Sequence, residues 1–92
     1  MPVADNIERK LAAGLAPLSL TVTDQSHLHA GHAGARPGGE THFQVDIVAA
    51  KFRGMTRLAR QREVHRLLAE ELAGPVHALS IAARTPEEAG AA

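Results

Sequence analysis

Three of the six histidines in this 92-residue chain lie in one short stretch, residues 27–32, whose sequence is His-Leu-His-Ala-Gly-His. Imidazole titrates near neutral pH and is the commonest protein ligand for metal ions. The stretch therefore favours metal coordination or proton-linked binding. A solvated loop that binds nothing is the alternative, because short histidine-rich stretches among glycines are often inert.

The chain contains no cysteine, and this limits the chemistry that it can perform alone. Disulfides, thiolate catalysis and iron–sulfur sites held only by the chain's own thiolates are excluded. The sequence also has no Ser-His-Asp order and no phosphate-binding glycine loop ahead of a helix. We therefore expect a protein that is not an enzyme, and one that would need thiolates from another molecule to hold an iron–sulfur cluster.

Basic residues are concentrated in one part of the chain. Six of the ten lie within residues 51–66, where Glu63 is the only acid: Lys51, Arg53, Arg57, Arg60, Arg62 and Arg66. Such a cluster could neutralise the phosphates of duplex DNA. A solvated basic face with no ligand is the alternative.

Length and composition restrict the class of protein. Ninety-two residues supply one modest core, so we expect a single small domain with no net formal charge. Two Phe and no Trp or Tyr provide no aromatic platform for stacking nucleic-acid bases. The first residues lack a signal-peptide pattern, and no apolar run approaches the roughly 20 residues that span a bilayer. We expect a cytoplasmic protein with no membrane contact.

The N-terminal half contains one helical pattern and two strand patterns. Apolar residues recur at helical spacing over residues 7–15, which predicts a short amphipathic helix. Residues 18–24 and 41–48 alternate apolar and polar side chains, which predicts two strands that pair in antiparallel fashion. Residues 25–40 between them are rich in glycine and histidine and predict a long mobile loop.

The C-terminal half predicts a long helix and then a strand. Residues at spacings of three and four form one stripe: Leu58, Gln61, His65, Leu68 and Leu72. Because two of them are polar, either these pair at the edge of the core or the stripe is not wholly buried. On that stripe, His65 would be a packed, hydrogen-bonded histidine. Residues 76–83 follow as a third strand. The sequence thus predicts an α/β (α+β) domain over residues 1–86, with helices on one face of a three-stranded sheet, and a flexible tail over residues 87–92.

Five short stretches, taken together, resemble a known family. They are Asp24-Gln25-Ser26 ahead of a loop histidine, Gly39-Glu40-Thr41-His42-Phe43, Phe52-Arg53-Gly54, Arg60-Gln61-Arg62 and Val76-His77-Ala78-Leu79. In this order and spacing they look like the BolA family, from about Ile7 to Pro86. The resemblance implies a fold of helix, two strands, two helices and one strand, related to class II KH domains. The first middle helix would be reduced here to a turn near residues 50–52.

The resemblance also implies two functions. One is partnership with a monothiol glutaredoxin and glutathione, in which the two proteins share a bridging 2Fe-2S cluster for iron–sulfur trafficking or iron regulation. The isolated chain would then be a monomer without cluster and a heterodimer with its partner. The other function is transcriptional regulation by direct contact with duplex DNA through the basic face of the long helix.

Four histidines are candidates for a metal site, and the resemblance assigns two of them. His77 matches the family's histidine before the last strand, and His29 matches the loop histidine of its Ser-x-x-His pattern, so these two are the expected ligands. His32 could substitute for His29, and His42 would support a ligand from a neighbouring position. A site for Zn²⁺ or Cu²⁺ formed by His27, His29 and His32 alone would be weak and unselective.

The chain departs from the family pattern at three places. The insert over residues 30–39 is longer and richer in glycine than expected, which blurs the choice between His29 and His32. Gln61 stands where the family has a histidine between two arginines. Residues 54–57 keep only the first glycine of the Gly-x-x-Gly loop with which KH domains hold a nucleic-acid backbone.

Overall fold

The computed structural model describes residues 2–25 and 41–90. Its elements, in chain order, are α1 (Val3–Leu15), β1 (Ser19–Asp24), β2 (His42–Val48), a 3₁₀ turn (Ala50–Phe52), α2 (Arg57–Leu67), α3 (Ala69–Ala73) and β3 (Ala78–Arg84). This confirms the predicted α+β class and the predicted order, including the short turn near residues 50–52. The predicted mobile loop lies mostly outside the described residues.

The three strands form one sheet in the order β1-β2-β3. β1 is antiparallel to β2, as predicted, with Leu20 opposite Ile47 and Val22 opposite Val45. β3 is parallel to β2, so the chain must cross from one end of the sheet to the other between them. The 3₁₀ turn, α2 and α3 make this crossover.

The core lies on one face of the sheet. Phe43, Val45 and Ile47 alternate along β2 and are buried, whereas Gln44 and Asp46 between them are half-buried or exposed. The helices cover the same face and add their own buried side chains to one cluster, namely Ile7, Leu11, Leu15, Val64 and Leu68, together with Phe52 of the 3₁₀ turn. The patterns of the N-terminal half thus identify the buried residues of α1 and β2. The first predicted strand begins one residue too early, since Leu18 lies outside β1 and is 69% exposed.

The predicted long helix is divided, and its stripe is only partly buried. The helix is interrupted at Leu68, whose φ of −105° and ψ of 21° lie outside the helical range and separate α2 from α3. On the stripe, Leu68 is buried and Gln61 bonds to Ile81 at the edge of the core, but Leu58 is 57% exposed. His65 is also exposed, so the prediction of a packed histidine is wrong. The buried residues of α2 and α3 include three that the stripe omits, Arg60, Val64 and Glu71.

Arg60 explains this difference in the buried face. Its guanidinium is hydrogen-bonded to the carbonyl oxygens of Met55 and Ala83, each at 3.1 Å, and to the carboxylate of Glu88. It also lies 5.9 Å from the ring centroid of Phe52, within the range of a cation–π contact. Sequence patterns treat arginine as a surface residue. Here these partners offset the cost of removing the guanidinium from water, so the face of α2 that carries Arg60 packs against the domain.

The C-terminal segment is held by a reciprocal cap. The backbone N–H of Glu88 donates to Thr85 Oγ1 at 3.2 Å, and the backbone N–H of Thr85 donates to Glu88 Oε1 at 2.9 Å. This is the arrangement of a capping box. Glu88 is also ion-paired with Arg60, and Glu87 with Arg53. Two residues of the segment predicted as a tail therefore contact the domain.

The corrected buried face predicts opposite results for two leucines of the crossover. Leu68 is 1% exposed and Leu58 is 57% exposed. Leu68→Ala should lower the free energy of unfolding by about 2–5 kcal/mol, because it leaves a cavity in the core. Leu58→Ala should change it by no more than about 0.5 kcal/mol. Urea unfolding of both variants measures the two free energies of unfolding. Equal decreases for the two variants would support burial of Leu58, which the sequence pattern places on the same stripe as Leu68.

The cap around Glu88 predicts a dependence of stability on pH. Hydrogen bonds from Arg60, and then from the Thr85 backbone, lower the pKa of Glu88 from 4.5 to about 2. Because the pKa is lower in the folded state, the carboxylate stabilises the fold fully above about pH 4.5, and this contribution is lost as the pH falls toward 2.

We therefore expect Glu88→Gln to lower the urea midpoint at about pH 6 and to have a progressively smaller effect as the pH falls to about 3. Glu8→Gln is the matched control, since Glu8 is exposed on α1 and has no ion-pair partner among residues 2–25 and 41–90. An effect of Glu88→Gln that is equal at both pH values would contradict the lowered pKa of Glu88 in the folded protein.

Candidate functional site

His42 and His77 come together at one end of the sheet. His42 is the first residue of β2, and His77 immediately precedes β3. The parallel register sets His42 opposite Ala78, so the residue before Ala78 lies beside His42. Their ring centroids are 6.4 Å apart, with 30° between the ring planes. The imidazole of His42 is half-buried, and that of His77 is exposed.

Thr41 organises this pair. It is fully buried, and its carbonyl oxygen accepts hydrogen bonds from the N–H groups of His77 at 2.7 Å and Ala78 at 3.2 Å. Its hydroxyl oxygen lies 2.8 Å from Nδ1 of His42. One buried threonine thus fixes the backbone that carries His77 and the ring orientation of His42. Sequence analysis missed this residue, because its role depends on a strand that is distant in the chain.

The two described residues that flank the histidine-rich stretch lie at the same end of the sheet. The backbone N–H of Gln25, the last described residue before the loop, donates to the carbonyl oxygen of His42 at 2.8 Å. Thr41 is the first described residue after it. Both ends of the loop are therefore adjacent to His42. The predicted ligand His29, its substitute His32 and the neighbouring His27 lie outside the described residues.

The rings of His42 and His77 are farther apart than two imidazoles that bind one ion. Each ligating nitrogen lies about 2 Å from a bound ion, so two rings on one tetrahedral ion have centroids roughly 5–6 Å apart. The observed separation is 6.4 Å. Among the described residues, no three His, Cys, Asp or Glu side chains converge on one metal position. A metal or cluster at this place would therefore use one of the two imidazoles, together with ligands from elsewhere.

Most of the six predicted nucleic-acid-binding cations are already engaged. Arg60 is buried against Glu88, Arg53 is paired with Glu87, and Arg66 is paired with Glu63. The ammonium group of Lys51 donates to the carbonyl oxygen of Gly14 at 2.8 Å. Within the part of the chain that the structure describes, Arg57 and Arg62 have no ion-pair partner. The proposed basic face thus consists largely of ion pairs, with two unpaired arginines on α2.

A cleft that the sequence did not predict lies between α2 and β3. Its volume is about 460 Å³. Its lining combines three arginines, one glutamate, Gln61 and the backbone of the last strand: Arg57, Arg60, Gln61, Ile81, Ala82, Ala83, Arg84 and Glu88. Arg60 and Gln61 are the two sequence residues that could have indicated this cleft. Both lie on the side of α2 that faces β3, and each donates a hydrogen bond to a carbonyl oxygen of that strand.

None of the helices in residues 2–25 and 41–90 combines the length and apolar character needed to cross a bilayer. α1, the longest of them, has 13 residues and carries both acidic and basic side chains. A span of the hydrocarbon core needs about 20 apolar residues.

Comparison with known proteins agrees with this fold. A family model described as BolA-like protein matches residues 11–88. Human BolA-like protein 1 is 49% identical over 87 residues, which are 95% of this chain and 61% of the human protein. The chain therefore spans about three-fifths of the length of that relative.

Two solved structures from Arabidopsis thaliana are similar over nearly their whole length. BolA1 has a TM-score of 0.82 and 46% identity, covering 92% of this chain and 93% of that structure. The BolA domain of SufE1 has a TM-score of 0.83 and 44% identity, with the same coverage. The family model accounts for most of the chain, and fold and sequence agree along it. The chain belongs to the BolA family.

Proposed function

We propose that this protein is a non-enzymatic adaptor that binds a monothiol glutaredoxin and shares a bridging 2Fe-2S cluster with it in iron–sulfur trafficking or iron regulation. The observation that carries the proposal is the exposed His77 beside His42, at the end of the sheet where Gln25 and Thr41 flank the histidine-rich stretch. The cluster is cargo that passes through the complex, and it is not a resident group of the isolated chain.

His77 is the proposed principal ligand. Its side chain is exposed, so a partner protein can reach it. Its backbone N–H is fixed at 2.7 Å from the carbonyl oxygen of the buried Thr41. An accessible imidazole on a rigid backbone can enter a coordination sphere without a large loss of conformational entropy. A structural histidine at a strand end would not require exposure of the ring.

The second ligand is proposed to come from the loop. His29 is four residues beyond Gln25, so the chain between them can span at most about 14 Å. His32 is seven residues beyond Gln25 and can span about 25 Å. His29 is therefore the more closely tethered candidate, with His32 as its substitute. His42, whose Nδ1 is already bonded to Thr41, is proposed to support the ligand environment.

The chemistry of the partners is complementary. The chain supplies imidazoles and no thiolates, because it has no cysteine. A glutaredoxin cysteine and glutathione would supply the two thiolates. One iron with two imidazoles and one with two thiolates is an arrangement that proteins use, and imidazole raises the reduction potential of the cluster. We propose a monomer alone, a heterodimer in the complex and action in the cytoplasm.

Duplex DNA binding is the alternative proposal. Arg57 and Arg62 carry it, because they are the α2 cations without ion-pair partners in the described ranges. Two unpaired cations on one helix make few phosphate contacts, so the expected salt dependence of binding is shallow. This reduces support for DNA binding relative to the adaptor function.

The adaptor function predicts a spectroscopic result for His77. When the apo-protein is titrated into a cluster-loaded monothiol glutaredoxin, a new visible circular dichroism spectrum should appear and saturate at equimolar mixing. His77→Ala should abolish that spectrum because one imidazole ligand is removed. His29→Ala should abolish or shift it if His29 is the loop ligand, and His32→Ala should then leave it unchanged.

His65→Ala is the matched control, since His65 is exposed on α2 and far in sequence from the His42–His77 pair. It should leave the new spectrum intact. Far-ultraviolet circular dichroism of each variant verifies that the fold is retained. A spectrum that His77→Ala leaves unchanged would refute the assignment, and so would the absence of any new spectrum.

A further inference from the structure

The cleft between α2 and β3 does not include the histidine pair. His77 precedes the first residue of β3, whereas the β3 residues of the cleft begin at Ile81 and end at Arg84. A strand rises about 3.3 Å per residue, so the nearest of them is about 13 Å along the strand from His77. The cleft is thus a separate place on the surface, and the histidine pair does not explain it.

One wall of the cleft is the outer edge of the sheet. Because β3 pairs with β2 on one side, alternate residues of β3 direct their backbone groups toward the other side. On that side, the carbonyl oxygen of Ile81 accepts from Gln61 Nε2 at 3.1 Å, and that of Ala83 accepts from Arg60 Nη1 at 3.1 Å. Both acceptors therefore have a partner, whereas the N–H donors of Ile81 and Ala83 have none among residues 2–25 and 41–90.

The charged groups of the cleft also favour a ligand whose groups accept hydrogen bonds and carry negative charge. Arg60 holds the carboxylate of Glu88 with two nitrogen–oxygen contacts, so this surface already binds one carboxylate. Arg57 and Arg84 line the same cleft, and neither has an ion-pair partner in the described segments. Two exposed guanidinium groups beside a paired one leave the cleft with an excess of positive charge.

We propose that this cleft binds carboxylate side chains from an extended acidic segment of a partner protein. Arg57 and Arg84 would each pair with one carboxylate, and the N–H groups of Ile81 and Ala83 would donate to the segment's oxygens. The volume of about 460 Å³ suits a few side chains. Occupied carbonyls on β3 prevent a complete added strand, so side-chain carboxylates provide most of the recognition.

A nucleic acid is the less suitable occupant. The carboxylate of Glu88 lies in the lining, and the neighbouring Glu87 is also exposed, with 56% of its side chain accessible. Each of these two glutamates is already paired with an arginine, so the cations left for a ligand are Arg57 and Arg84. Two separate cations suit two individual carboxylates better than the continuous row of phosphates of a duplex.

The test uses the full apo-chain and a short blocked peptide in which Glu alternates with Ser, with a Gln-for-Glu peptide as the uncharged comparison. Binding is measured by calorimetry and by shifts of backbone amide resonances. The Glu peptide should bind and shift the amides of Ile81 and Ala83, and the Gln peptide should not. Arg57→Gln/Arg84→Gln should weaken binding by about tenfold, because both proposed ion pairs are removed.

Arg9→Gln/Arg62→Gln is the matched control, since it removes the same two charges from positions outside the cleft lining. It should leave the peptide affinity within about twofold. Equal weakening by both double variants would show nonspecific attraction and overturn the proposal. Absence of peptide binding, or tighter binding of a short DNA duplex at the same amides, would overturn it as well. No glutaredoxin is present, so the result is independent of the cluster experiment.

Discussion

The burial of Arg60 is the constraint on which the crossover half of the fold depends. A buried cation without partners costs several kcal/mol, so its bonds to Met55, Ala83 and Glu88 must form together. They tie the segment before α2, the end of β3 and the C-terminal turn to one guanidinium. With Arg60 directed inward, Val64 and Leu68 enter the core, and Leu58 and His65 are turned outward.

The parallel pairing of β2 and β3 has a second consequence, at the opposite end of β3. It aligns His42 with Ala78 and so brings His77 to within 6.4 Å of His42, measured between ring centroids. Thr41 reinforces that alignment through its buried carbonyl oxygen and hydroxyl. Any partner that uses His77 therefore meets a backbone that the buried Thr41 holds in place.

The two ends of β3 consequently have different chemistry. One end presents imidazoles, which suit a soft metal centre, and the other presents arginines and edge N–H groups, which suit carboxylates. A chain with no net formal charge can separate these properties because its ion pairs are distributed unevenly. Arg53, Arg60 and Arg66 are each paired with a nearby carboxylate, whereas Arg57 and Arg84 have no ion-pair partner within residues 2–25 and 41–90.

The sequence by itself determined the two N-terminal strands, the first helix, the family and the histidines worth testing. These features depend on local periodicity and on short motifs, both of which involve residues that are close together in the sequence. Tertiary structure alone decided the buried face of α2, the cleft and the pairing of His42 with His77. Arg60 meets Glu88 28 residues later, and His42 meets a residue beyond the whole crossover. Local patterns carry no information about such partners, because the energy that favours burial of a charged or polar residue comes from groups distant in the chain.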